Sequence, residues 1–119
     1  MKHKTLVVIP AFNESKVIAQ TIAHILDYPV DILVIDDGST DGTIKAIEHF
    51  PIKIIAQQTN KGQGAAIKTG FGYAIVNAYD QVITFDADGQ HSPQNIEILL
   101  SELENSPVSI CLGSRFLDP

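Results

Sequence analysis

The sequence carries a single cysteine, Cys111, so an intramolecular disulfide is excluded. Cys111 lies in an apolar stretch and reads as an interior thiol of a reducing compartment rather than as a nucleophile. Basic residues are also few, with Lys and Arg totalling 8 against 14 Asp and Glu, for a formal net charge of -6. That balance offers no basic face, which argues against nucleic acid as a partner. Long hydrophobic runs are missing as well. Nothing approaches the ~20 apolar residues a membrane helix needs, and the run from Leu6 to Ile9 is far too short for the apolar region of a signal peptide. The expectation is a soluble, cytoplasmic chain. Its 119 residues suffice for one small domain, which buries a little over ~60 % of its unfolded surface.

What is present is an alternation of two hydrophobic periods. Thr5 to Ile9 is a continuous β-branched and aliphatic run stopped by Pro10, the pattern of a parallel strand buried on both faces. Val17, Ile18, Ile22, Ile25 and Leu26 then form a helical stripe closed by Pro29. Asp31 to Ile35 predicts a second strand, and Thr40 or Asp41 is suited to cap a helix from Gly42 to His49. Pro51 to Ala56 predicts a third strand. Gly62 to Ala78 reads as a helix whose Ala65, Ala66, Gly70, Gly72 and Ala74 permit close packing on a sheet, which must offset about 1 kcal/mol per interior glycine. Gln81 to Phe85 is the fourth strand. Ser92 and Pro93 open a helix to Glu104, and Val108 to Leu112 is the fifth strand. Strands separated by helices at this spacing imply βαβ units, a parallel sheet and right-handed crossovers. The chain contains no internal repeat.

Two of these strands end in carboxylates. Gln81 to His91 reads QVITFDADGQH, and aspartate and glycine do not continue a central strand. Asp86 and Asp88 therefore belong at the carboxyl end of the fourth strand, where open α/β sheets bind ligands. Carboxylates this close repel one another, and hard divalent cations prefer oxygen ligands, with Gln90 able to add an amide oxygen. The stretch reads as a metal site that receives a phosphate. Asp-Gly is also a common turn pair, so the motif alone is not specific. The second strand ends similarly at Asp36-Asp37-Gly38, where two adjacent aspartates after a buried strand point to a ligand that holds them together.

Other phosphate motifs fail. Gly62 to Thr69 approximates a P-loop and a GxGxxG turn, but Ile67 stands where each requires glycine, and the polar Gln57 to Lys61 replaces the strand both need. Asp86 to Gln90 also differs from the DxDGT of haloacid-dehalogenase-type phosphatases, with glutamine in the threonine position. A nucleotidyltransferase would carry a glycine- and arginine-rich loop where this chain has Pro10 to Glu14.

The motifs in order are PAFNE (Pro10 to Glu14), DDGSTDGT (Asp36 to Thr43), NKGQGAAIKTG (Asn60 to Gly70), DADGQH (Asp86 to His91) and GSRF (Gly113 to Phe116). In that order the chain resembles the family 2 glycosyltransferases, most of all the dolichyl-phosphate mannosyltransferase and polyprenyl-phosphate glycosyltransferase branch. The resemblance spans nearly the whole chain. It implies a GT-A fold, a Rossmann-like α/β architecture with a mostly parallel sheet and flanking helices, here stopping after the fifth strand. It further implies inverting sugar transfer from a GDP- or UDP-sugar with Mg2+ or Mn2+. Carried over by position, Pro10, Phe12 and Glu14 line the base and ribose pocket, and Ile35 and Asp37 contact the nucleoside. Asp86 and Ala87 belong to the donor site, while Asp86, Asp88 and Gln90 hold the metal and diphosphate. Asp88, as the essential metal ligand, and Arg115, facing phosphate charge, are the implied catalytic residues. Phe12 departs from the tyrosine of related enzymes, which keeps stacking and loses a hydroxyl contact.

Gln90 with His91 favours the lipid-phosphate branch, and with it a polyprenyl-phosphate acceptor reached at the inner membrane face. Family members are considerably longer, and their remaining part supplies most of the acceptor site. No general base stands out, and a phosphate acceptor, already an anion, needs none. The alternative is a nucleotide-sugar-binding fragment without turnover. An unfinished sheet edge also favours pairing with a second copy.

Overall fold

The computed structural model describes residues 4–57, 61–85, 110–112 and 115–117. In chain order the elements are β1 (Thr5–Ala11), α1 (Ile18–Ile25), β2 (Asp31–Asp36), α2 (Thr43–Ile47), β3 (Lys53–Ala56), α3 (Gln63–Val76), β4 (Gln81–Thr84), β5 (Ile110–Leu112) and β6 (Arg115–Leu117). They form one six-stranded sheet in the order β3-β2-β1-β4-β5-β6. The first five strands run parallel, as the βαβ spacing implies. A sixth strand follows the expected five, antiparallel to β5. Only two residues link β5 to β6, a length that antiparallel neighbours tolerate and parallel ones do not. Among the described residues no helix is long and apolar enough to cross a membrane. The expected helix from Ser92 to Glu104 and the DADGQH motif lie outside the described residues.

Alternation along the strands builds two cores. Val7, Ile9 and Ala11 of β1, with Ile32 and Val34 of β2, face Ile18, Ile22 and Ile25 of α1 and Ile47 of α2. Leu6, Val8, Leu33 and Ile35 point the other way, onto Ala66 and Ala74 of α3. The central strand is therefore apolar from Leu6 to Ala11, because helices cover both of its faces. α1 buries Ile18, Thr21, Ile22 and Ile25, the i, i+3, i+4, i+7 stripe of an amphipathic helix.

β1 continues through Pro10, where the sequence pattern places its end. The β1–β4 ladder finishes at Val8 paired with Thr84, and the last bond on that side is Phe85 N–H to Val8 O at 3.0 Å. Pro10 directs its nitrogen to the same side two residues later, beyond the end of β4, so its missing N–H removes no ladder bond.

The small residues of α3 serve the packing unequally. A Cβ on Gly70 would lie 2.5 Å from Val8 Cγ1, so the helix and the central strand meet at a distance only glycine permits. Gly72, expected to do the same, faces open space. Two residues along a helix put it on the other side, because i and i+2 do not share a face. Gly70→Ala is accordingly expected to destabilise the fold by about 1–3 kcal/mol through overpacking. Gly72→Ala should raise stability by about 0.5–1 kcal/mol through lower unfolded-state entropy. Paired thermal or urea unfolding checks both, and equal effects at the two positions would contradict the packing.

The amino-terminal edge of the sheet is closed by polar contacts. Tyr79 donates its hydroxyl to Asp31 at 2.6 Å, and Lys4 donates its main-chain N–H to Asp80 at 2.8 Å.

Candidate functional site

At the carboxyl ends of β1 and β2 the two following loops are joined by four side-chain hydrogen bonds. Asn13 N–H donates to Ser39 Oγ at 2.8 Å, and Thr40 N–H returns to Asn13 Oδ1 at 2.9 Å. Glu14 N–H donates to Thr43 Oγ1 at 2.9 Å, and Ser15 N–H to Asp41 Oδ2 at 3.2 Å. Main chain adds Asp37 N–H to Ala11 O at 2.8 Å. PAFNE and DDGSTDGT, separate in sequence, thus make one hydrogen-bonded surface.

The two adjacent aspartates diverge, as neighbours at a strand end do. Asp36, nearly fully buried, accepts from Ser39 N–H at 3.0 Å and from Ser39 Oγ at 2.5 Å. Asp37, also buried, accepts from Lys61 N–H at 2.7 Å and Gly62 N–H at 2.8 Å, tying β2 to the start of α3. Protein donors thus meet part of the cost of placing the two carboxylates side by side, through charge-assisted bonds that include main-chain amides. Gly62 has φ 92, a left-handed value that suits glycine at this junction.

Asp41 acts as the anticipated cap, although Gly42 occupies the cap position itself. Its carboxylate accepts from Thr43 Oγ1 and, at 3.1 Å, from Thr43 N–H. The Thr43 hydroxyl bond is the main cause that pulls its pKa from 3.8 to about 2; desolvation, the next largest effect, opposes it, and the bonds from Ser15 and the Thr43 amide add to the lowering. A carboxylate with a depressed folded pKa stabilises the fold above its unfolded pKa and loses that contribution as the pH falls through the folded one. Asp41→Asn should therefore remove a part of the stability seen above about pH 4, a difference that shrinks as the pH falls through about 2. Urea midpoints across that range check this, and a pH-independent difference would contradict it.

Pro10 is half-buried, Phe12 is 42% exposed on this edge, and Glu14 is half-buried, with its carbonyl receiving the amides of Val17 and Ile18 as α1 begins. Ile35 is wholly buried, packed with Ala66 and Ala74 of α3. Asp37 sits on the same edge, its oxygens already engaged as described. Arg115 begins β6 opposite Leu112, which pairs with Thr84, so its main chain lies level with the carboxyl end of β4. Asp86, Ala87, Asp88 and Gln90 lie outside the described residues, directly after Phe85. Among the described residues no cluster of three or more His, Cys, Asp or Glu is placed to hold a metal.

Residues that the sequence reading did not single out do much of the joining. Asn13, with a left-handed φ of 53, links the loops through both its amide and its side chain, and Ser39 links it to Asp36. The signal was the asparagine itself, the non-glycine residue most at ease at positive φ, in a loop between strand and helix. Gln57 donates Nε2 to Thr69 Oγ1 at 3.2 Å, while its buried Oε1 lacks a donor among the described residues.

The sequence profile of Glycosyl transferase family 2 matches residues 6–118, nearly the whole chain. The chain belongs to this family. Its relatives include the UDP-N-acetylglucosamine-dolichyl-phosphate N-acetylglucosaminyltransferase of Methanococcus voltae, 33% identical over 130 residues, covering 94% of this chain and 52% of that one. The undecaprenyl-phosphate mannosyltransferase of Micrococcus luteus is 31% identical over 119 residues, covering 94% and 48%. Among solved structures, glucosyl-3-phosphoglycerate synthase from Mycobacterium tuberculosis, crystallised with Mn2+, UDP-glucose and phosphoglyceric acid, superposes with TM-score 0.71 at 22% identity, over 87% of this chain and 40% of that one. The parallel sheet with its flanking helices is thus the GT-A fold of family 2 glycosyltransferases. The chain spans about half the length of the curated relatives it matches.

Proposed function

We propose that this chain is the donor-binding part of an inverting glycosyltransferase. It binds a GDP- or UDP-sugar with Mg2+ or Mn2+ and serves transfer to a polyprenyl or dolichyl phosphate at a membrane surface. The observation that carries the reading is the joined edge at the ends of β1 and β2. There an exposed aromatic ring, Phe12, stands on a loop fixed by Asn13, Ser39, Asp41 and Thr43. A planar base stacks on such a ring, and Pro10 and Glu14 flank it. The relatives named for polyprenyl- and dolichyl-phosphate reactions support the acceptor class.

Asp86, Asp88 and Gln90 offer hard oxygen donors, which fits a divalent cation, and they would be the residues that hold it. When bound, that cation supplies Lewis-acid stabilisation of the charge that builds on the departing diphosphate. Ala87, between Asp86 and Asp88 in sequence, would belong to the donor site, and Arg115 would supply positive charge for the phosphates. The acceptor phosphate oxygen attacks the sugar carbon from the face opposite the leaving group, inverting its configuration, with no proton to remove.

The test is incubation of the chain with GDP-mannose or UDP-N-acetylglucosamine, Mn2+ and polyprenyl phosphate, scoring lipid-linked sugar. Transfer supports the full reading. Nucleotide binding without transfer supports the second reading, a binding unit without turnover, which the half-length match to relatives favours.

A further inference from the structure

Phe12 poses a physical question of its own. A phenyl ring that stays 42% exposed on a loop is not held in place by burial, so something else must fix it if it is to act as a platform. The next residue answers. Asn13 takes a left-handed backbone, φ 53, which turns the chain sharply after Phe12. Asparagine tolerates that conformation better than other residues with a side chain, and bonds around it select it over the alternatives.

The surroundings are explicit. Asn13 N–H is bound by Ser39 Oγ, and Asn13 Oδ1 is bound by Thr40 N–H. Ser39 is itself bound twice by the buried carboxylate of Asp36, through its amide and its hydroxyl. Asp36 belongs to the last turn of strand register, paired with Ala11, the residue before Phe12. A closed circuit therefore runs from the end of β2 through Asp36, Ser39 and Asn13 back to the end of β1. Phe12 is the one side chain on that circuit that is both large and apolar, and it makes none of the circuit's hydrogen bonds.

We propose that Asn13, held by Ser39 and Asp36, is a positioning residue that presents Phe12 as a fixed aromatic platform for a planar ligand ring. This rests on the donor-site reading above for the identity of the ring, a nucleobase, but the positioning itself is a property of the free protein. Asn13 and Ser39 touch no reacting atom; they act through Phe12. Pre-ordering the ring removes the ordering cost that binding would otherwise meet, so the effect appears in nucleotide affinity.

The experiment has two arms. In the free protein, 15N relaxation at Phe12 should give an order parameter of about 0.85, the value of rigid backbone, falling below about 0.6 in Asn13→Ala and Ser39→Ala. Ser39→Thr, which keeps the hydroxyl, should retain the order. In the second arm, calorimetric titration with GDP and with UDP in the presence of Mn2+ is repeated on Asn13→Ala, Phe12→Ala and the double variant. Asn13→Ala should weaken binding by roughly three- to tenfold, the cost of ordering one side chain and its loop. In the Phe12→Ala background the same change should have no further effect, because its target ring is gone. Additive losses, or unchanged order at Phe12 in both single variants, would overturn the proposal. If the unaltered chain binds neither nucleotide, the donor-site reading fails by itself, and the order parameters still decide whether Asn13 positions Phe12.

Discussion

Asp88→Ala is expected to remove the Mn2+-dependent component of nucleoside diphosphate binding altogether. The effect should exceed 100-fold, beyond the roughly 10–100-fold that follows loss of a residue supporting a metal ligand from behind. The physical reason lies in the donor set. A diphosphate and two aspartates are all anions, so on the proposed donor-site reading Asp86 and Asp88 would repel the nucleotide unless a cation offset their charge. Removing Asp88 leaves Asp86 and Gln90, one charge short for a hard divalent ion. Calorimetry with and without Mn2+ measures the loss. Unchanged affinity in the variant would remove Asp88 from the metal site.

Asp37→Ala is expected to have the largest effect on stability among the strand-end aspartates. Its two oxygens receive the amides of Lys61 and Gly62 at 2.7 and 2.8 Å, and alanine would leave both donors without their partner in a partly buried setting. At about 1–3 kcal/mol for each orphaned group, a loss on the order of 3 kcal/mol follows, or roughly 10 °C in melting temperature for a domain of this size. Asp37→Asn recovers less than half of this, because one acceptor oxygen remains while the amide NH2 meets the other N–H. Thermal unfolding of the three proteins tests the order. A melting temperature for Asp37→Ala within a degree or two of the original would mean that the start of α3 is held by something else.

Asp37 also shows how far the sequence was legible. Its place at a buried strand end followed from the apolar run before it and the glycine after it. Its partners did not, because Lys61 and Gly62 come from a loop on the far side of β3, and no local pattern couples them. The contact of Asp36 with Ser39 spans only three residues and is the kind of local bond an aspartate makes in a turn. Strand positions were the most readable feature. β1 and β2 are covered on both faces, so burial wrote an unbroken apolar run into them. β6 was missed because three residues beside a tight connection carry no period to detect. Pro10 was read as a terminator on a general preference that the early end of β4 suspends.

The site divided in the same way. Its carboxylates and glycines stood out as residue types in ordered motifs, and those motifs carried the family. The joining of PAFNE to DDGSTDGT was invisible, since it depends on loops brought side by side by the pairing of Ala11 with Asp36. Asn13 drew no notice beside Phe12 and Glu14, yet it makes two of the bonds between the loops.

The most direct measurement is calorimetric titration of the intact chain with GDP and with UDP, each with and without Mn2+. The predicted result is binding of one nucleotide that requires the metal, which also names the base of the donor. Absence of binding for both nucleotides in the presence of Mn2+ would contradict a donor site on this chain.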